Sequence, residues 1–133
     1  MDATRYLPIV GRLMIGLPFA FSGFGKLATY EKTTAAIAAV GLLLPPLAYA
    51  FAVAIELGGG LLLVVGYQAR AMAIALAVFS IIAAISFHNN FADQNQMIHF
   101  LKDVMIAGGL LQIAAFGAGA LSLDRWLHRD LDL

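Results

Sequence analysis

The sequence contains no cysteine, which excludes disulfides, thiolate metal ligation and cysteine-based redox chemistry within the chain. Thiol chemistry at this protein would have to come from a partner. Charge is scarce as well: Asp, Glu, Lys and Arg make up 12% of the 133 residues, and eight basic residues balance eight acidic ones. A chain with no excess of basic charge lacks the electrostatic footprint of a nucleic-acid binder, so no nucleic-acid partner is expected. No polar linker or low-complexity tract interrupts the sequence, and a single domain over 1–133 is expected. No glycine-rich loop follows a strand, no order of Ser, His and acid supports a nucleophilic triad, and the triple glycine 58–60 lies inside an apolar run rather than in a nucleotide motif.

What fills the chain is hydrocarbon. It is 62% hydrophobic with a mean hydropathy of +0.88, far above the apolar share of a soluble domain, and reads as a membrane protein. Four stretches, near 7–28, 45–66, 70–88 and 97–117, are long enough to cross a bilayer core of about 30 Å. The short connections "GYQAR" and "HNNFADQNQ" make their neighbours antiparallel. The expected fold is all-α: an integral membrane up-down four-helix bundle. The longer first connection, "TYEKTTAAIAAVGLLLPP", reads as a short interfacial helix stopped at Gly41, with Pro46 near the start of the second span.

The tail "LSLDRWLHRDLDL" leaves the bilayer, with Trp126 as an interfacial anchor and His128 in solvent. "AFS" has the small residues of a signal-peptide cleavage site, but Arg12 breaks the apolar region that such a signal needs, so a first span is expected there instead. Arg5, Arg12, Arg70, Arg125 and Arg129 fall on one side of the spans and Lys26, Lys32 and Lys102 on the other. That bias places both termini in the cytoplasm, in a multi-pass protein whose first partner is the lipid bilayer.

Within "AIELGGGLLLVVG" (54–66), Glu56 is a lone carboxylate near mid-depth. A charge at the bilayer centre costs about 2.5–3.5 kcal/mol on insertion scales and is normally held by a partner. On the first helix Arg12, Gly16, Gly23 and Lys26 share a stripe; on the second Tyr49, Ala52, Glu56, Gly59, Gly60 and Leu63 share another. Glycine one turn from Glu56 allows a close neighbour. Arg12, Lys26 and Lys102 are the candidate cations. Arg12 is favoured, because its fork can hold a carboxylate through two bonds and cannot shed its proton. Arg12 and Gln112 lie at similar depth and could share a hydrogen bond. Ser80 lies at mid-depth with Glu56. Toward the outer side lie Ser22, Lys26, Ser86, His88, His99, Lys102 and Asp103. His88 and His99 could approach each other, but neither has a second histidine at ligand spacing, so no metal or haem is expected. Ala69, Ala73 and Ala77 form a small-residue stripe suited to packing within the bundle or to a dimer contact.

In this order the residues resemble the DoxX-like family of small four-helix membrane proteins. The likeness rests on "GRLMIGLPFAFSGFGKL" (11–27), "LAYAFAVAIELGGGLLLVVGYQARAMA" (47–73), "FH" (87–88), "HFLKDVMIAGGLL" (99–111) and "GAGALSLD" (117–124), nearly the whole chain. The family's recurring positions map onto Arg12, Lys26, Glu56, Arg70, His88 and Lys102. Asp103 departs from the neutral residue expected after the lysine, and would weaken an anion site built there. The resemblance implies a bacterial inner-membrane protein. Members are similar to a membrane subunit of a thiosulfate:quinone oxidoreductase or are linked to redox homeostasis, though fold-level likeness does not settle chemistry.

Two readings follow. In the first, the protein supports a redox process by binding a quinone or a small sulfur-containing solute. Lys26, His88 and Lys102 face the ligand, Glu56 orients them or relays a proton, and electrons come from the ligand or an oxidoreductase partner. In the second, it is a non-enzymatic scaffold or small-solute permease whose buried charges form a structural network, with a homo-oligomer needed to make a path.

Overall fold

The computed structural model describes residues 3–128 and is helical throughout. Four helices are long and apolar enough to span a membrane: α1 (Ala3–Leu27), α3 (Pro45–Val65), α4 (Ala69–Phe87) and α5 (Gln94–Phe116). Two short helices accompany them, α2 (Tyr30–Ala39) after the first span and α6 (Leu123–His128) after the last. The first span begins at Ala3 rather than at residue 7, and the fourth at Gln94 rather than 97. Arg129 and the side chain of His128, for which orientation and exposure are expected from sequence, lie outside the described residues.

Local chemistry explains the boundaries. α2 stops where Gly41 turns left-handed at φ +85°, a conformation glycine adopts without steric cost. Pro45 and Pro46 open α3 at its first two positions, where a missing N–H costs nothing. At the other end of α3 the amides of Gly66 and Tyr67 both return to Leu62 O, at 2.9 and 3.0 Å, with Gly66 at φ +76°. Asp93 caps α5 by accepting from Asn95 N at 2.9 Å.

α1 lies along α3, α4 lies along α5, and α3 joins the two pairs through α4. The α1–α3 contact is made by backbone. A Cβ on Gly16 would sit 2.7 Å from Gly60 O, one on Gly60 would sit 2.7 Å from Ala20 N, and one on Gly23 would sit 2.5 Å from Leu57 N. Without a hydrophobic force between helices in lipid, small residues that let backbones touch supply the packing. Gly59 turns the other way, toward Leu76 of α4. The alanine stripe Ala69, Ala73, Ala77 is buried in one cluster with Leu63, Leu76 and Leu110, so it packs this bundle rather than a second copy. Large apolar side chains such as Phe21 and Met14, 80% and 71% exposed, face outward, as a lipid-solvated surface requires.

Candidate functional site

Glu56 is 5% exposed and lies within a π-helical stretch of α3, Ala54–Gly59. Such insertions occur mostly as single turns inside α-helices and often mark functional sites. The residue facing it on α1 is Gly23, whose missing side chain leaves room: a Cβ there would come within 3.0 Å of Glu56 Cβ. α1 therefore passes at backbone distance, and the next turn delivers Lys26. Lys26 Nζ donates to Glu56 Oε2 at 2.6 Å and to Ser22 Oγ at 3.1 Å, while Ser22 Oγ donates to the same carboxylate oxygen at 3.1 Å. A charge-assisted bond in a low dielectric is strong. The lysine side chain keeps 25% of its surface exposed against 7% for the glutamate, so the pair is buried at its acidic end and open at its basic end. Glu56 Oε1 accepts no hydrogen bond among the described residues.

The Lys26 turn is anchored from below. Tyr49 of α3 donates its hydroxyl to Lys26 O at 2.9 Å, and its ring meets Tyr30 of α2 edge-on at 4.7 Å between centroids. The interfacial helix thus braces the end of α1 that carries the lysine.

Arg12 does not hold Glu56, which corrects the sequence expectation. Its guanidinium is 1% exposed and donates Nη1 to Leu63 O (3.3 Å) and Val64 O (2.9 Å), and Nη2 to Leu121 O. The reason is register: Gly16 sits against Gly60 and Gly23 against Leu57. Ser22 and Lys26 therefore lie level with Glu56, and Arg12 lies level with the end of α3. Arg12 donates to the last carbonyls of α3, of which Leu63 O already accepts from Gly66 N, at a helix end where a cation is favoured. The expected Arg12–Gln112 bond is also not made, and Gln112 is exposed.

The remaining candidates divide into two places. His88 and His99 stack at 5.1 Å between ring centroids, and His88 Nε2 lies 3.8 Å from Asp103 Oδ2. Asp103 therefore faces His88, while Lys102, one residue earlier, is exposed and unpaired among the described residues. Among those residues no three His, Asp or Glu side chains form a group able to hold a metal ion. Arg70 lies at the opposite end, over Gly117.

Sequence reasoning missed Asp124. Its Oδ1 accepts from Gln68 N (2.7 Å) and its Oδ2 from Ala69 N (2.9 Å), so it caps α4 from more than fifty residues away. A local capping pattern cannot reveal such a residue. Its one trace in the sequence is the "GAGALSLD" stretch that ends on it.

The family model described as DoxX matches residues 7–89, which take in Arg12, Lys26, Glu56, Arg70 and His88. The chain is 34% identical over 121 residues to the inner membrane protein YqjF of Escherichia coli (strain K12), covering 91% of this chain and 92% of that protein. It is 33% identical over 128 residues to the inner membrane protein YphA of the same strain, covering 92% and 91%. No solved structure gives a significant match. With a family match across more than half its length and two relatives aligned over more than nine-tenths of each chain, the chain belongs to the DoxX family.

Proposed function

We propose that this chain is a single-domain bacterial inner-membrane protein that supports a redox process by binding an oxygen-rich small molecule, a quinone or a small sulfur-containing solute, at the Lys26–Glu56 pair. One observation carries the reading: the pair is unequally buried, with an open lysine and a carboxylate that has one unused oxygen. Lys26 is the group that meets the ligand's oxygens, Ser22 and Glu56 position it, and Glu56 Oε1 accepts a proton or a ligand hydroxyl. Lys102, exposed and unpaired, adds a second cation from α5, and His88 a third hydrogen-bonding group. Because the chain has no cysteine, electrons pass through the ligand or an oxidoreductase partner. Both termini lie in the cytoplasm in this reading.

A second reading, a scaffold or small-solute permease in which the pair is architectural, draws on the backbone-level fit of Gly23 against Glu56. Native mass spectrometry of gently purified protein separates the two. Co-purified quinone or sulfur oxyanion that is lost in Lys26→Gln supports the first reading. A defined oligomer with no bound small molecule in the wild-type protein overturns it.

A further inference from the structure

At the end of the bundle away from Glu56, the α3–α4 turn and the segment after α5 are locked together. Asp124 caps α4 with its side chain and donates its own N–H to Gly66 O at 2.9 Å. Arg12 ties Leu121 to the end of α3. Beside the clamp lies a shallow, open groove of about 470 Å³ lined by Arg70, Phe116, Gly117, Gly119 and Arg125, among others.

Its electrostatics are unbalanced. Asp124 is the acid in the lining, and both its oxygens are committed to amides. Arg70 and Arg125 are exposed, and neither side chain makes a hydrogen bond or ion pair among the described residues. The Arg70 guanidinium lies across Gly117, where a Cβ would be 3.1 Å from Nε, so the glycine leaves it room at the groove. The backbone amides of Ala118, Gly119 and Ala120 find no acceptor among the described residues.

The surroundings are apolar. Phe116 in the lining is 78% exposed, and Trp126, next to Arg125, is 63% exposed. α4 begins and α5 ends here, so the groove stands at the boundary between hydrocarbon and headgroups, the depth at which tryptophan anchors. Two arginine forks match phosphate oxygens, and basic pockets between membrane helices are suited to anionic headgroups. Free phosphate would leave the aromatic flank without a role.

We propose that this groove binds the phosphate of an anionic phospholipid headgroup, with Arg70 and Arg125 donating to its oxygens and the acyl chains lying against Phe116 and Trp126. The test uses the purified full chain in neutral detergent, titrated with phosphatidylglycerol, with phosphatidylcholine of the same acyl chains, and with inorganic phosphate. Phosphatidylglycerol should raise the melting temperature above the phosphatidylcholine value and remain bound in native mass spectra. Arg70→Gln with Arg125→Gln should lower its affinity roughly tenfold or more and remove the preference. Should the double variant not fold, Arg125→Gln on the exposed α6 must still weaken the preference. Equal stabilisation by both lipids, or a preference that survives these substitutions, overturns the assignment. So does an arginine-dependent shift with inorganic phosphate alone, which would make the groove a site for free anion.

Discussion

Lys26 Nζ lies 2.6 Å from Glu56 Oε2, and Gly23, one turn before the lysine, presses its backbone against the glutamate's own Cβ. The two contacts depend on each other. Only a residue without a side chain lets α1 run close enough for a lysine one turn on to fold back onto a mid-membrane acid. The ion pair is thus a consequence of helix packing, and its partner was selected by register rather than by the intrinsic advantage of arginine.

That packing predicts sharply different effects for glycines in the same two helices. Gly60→Ala would drive a Cβ to 2.7 Å from Ala20 N and Gly16 O, backbone atoms that cannot swing away, and should destabilise the bundle by about 1–3 kcal/mol. Gly25→Ala meets nothing within 4 Å and should be neutral or stabilising by up to about 1 kcal/mol through helix propensity. Equilibrium unfolding in detergent checks the contrast; equal effects would mean that α1 and α3 do not pack at backbone distance.

Arg12→Ala should cost about 2–4 kcal/mol, because it strips donors from carbonyls of α3 and of the segment after α5 together. Arg12→Lys should recover little, since one ammonium cannot span both chain segments as the fork does. Limited proteolysis at 117–122 reads the loosening directly. Gly66→Ala should mimic it, because its Cβ would strike the Arg12 guanidinium at a left-handed φ of +76°. Gly41→Ala, at φ +85° with nothing within 4 Å, should pay only the backbone strain.

Asp124→Ala should expose the first amides of α4 and cost about 0.5–2 kcal/mol. Hydrogen exchange at Gln68 and Ala69, whose N–H groups it accepts, should accelerate while exchange in the middle of α4 stays slow. Unchanged protection at those two amides would remove Asp124 from the cap.

A reporter fused after residue 133 should read as cytoplasmic, since four spans return the chain to its starting side and Arg5, Arg12, Arg70 and Arg125 lie on that side. A periplasmic reading would reverse the orientation.

Hydropathy and length made the four spans legible, and the 3.6-residue stripes correctly turned Gly16, Gly23, Gly60 and Leu63 inward. Depth counted from span ends placed Lys26 too far from Glu56, because it took the ends of α1 and α3 as level. Gly16 against Gly60 and Gly23 against Leu57 instead stagger the two helices, so that α3 runs past the Lys26 end of α1 and brings Glu56 to it, and hydropathy leaves no mark of such a stagger. Asp124 and Leu121 were illegible for a different reason: their partners, Ala69 and Arg12, are distant in the chain. The helix α6 was hidden in a tail read as leaving the bilayer with Trp126 as an interfacial anchor.

A double-mutant cycle on Lys26 and Glu56 reads the ion pair itself, with Lys26→Met, Glu56→Gln and their combination followed by equilibrium unfolding in detergent beside the same cycle on Arg12 and Glu56. Because the lysine is partly exposed, the account predicts a coupling of about 1–3 kcal/mol between residues 26 and 56. Between 12 and 56 it predicts additivity within about 0.5 kcal/mol. Additive effects at 26 and 56, or strong coupling of 12 to 56, would contradict it.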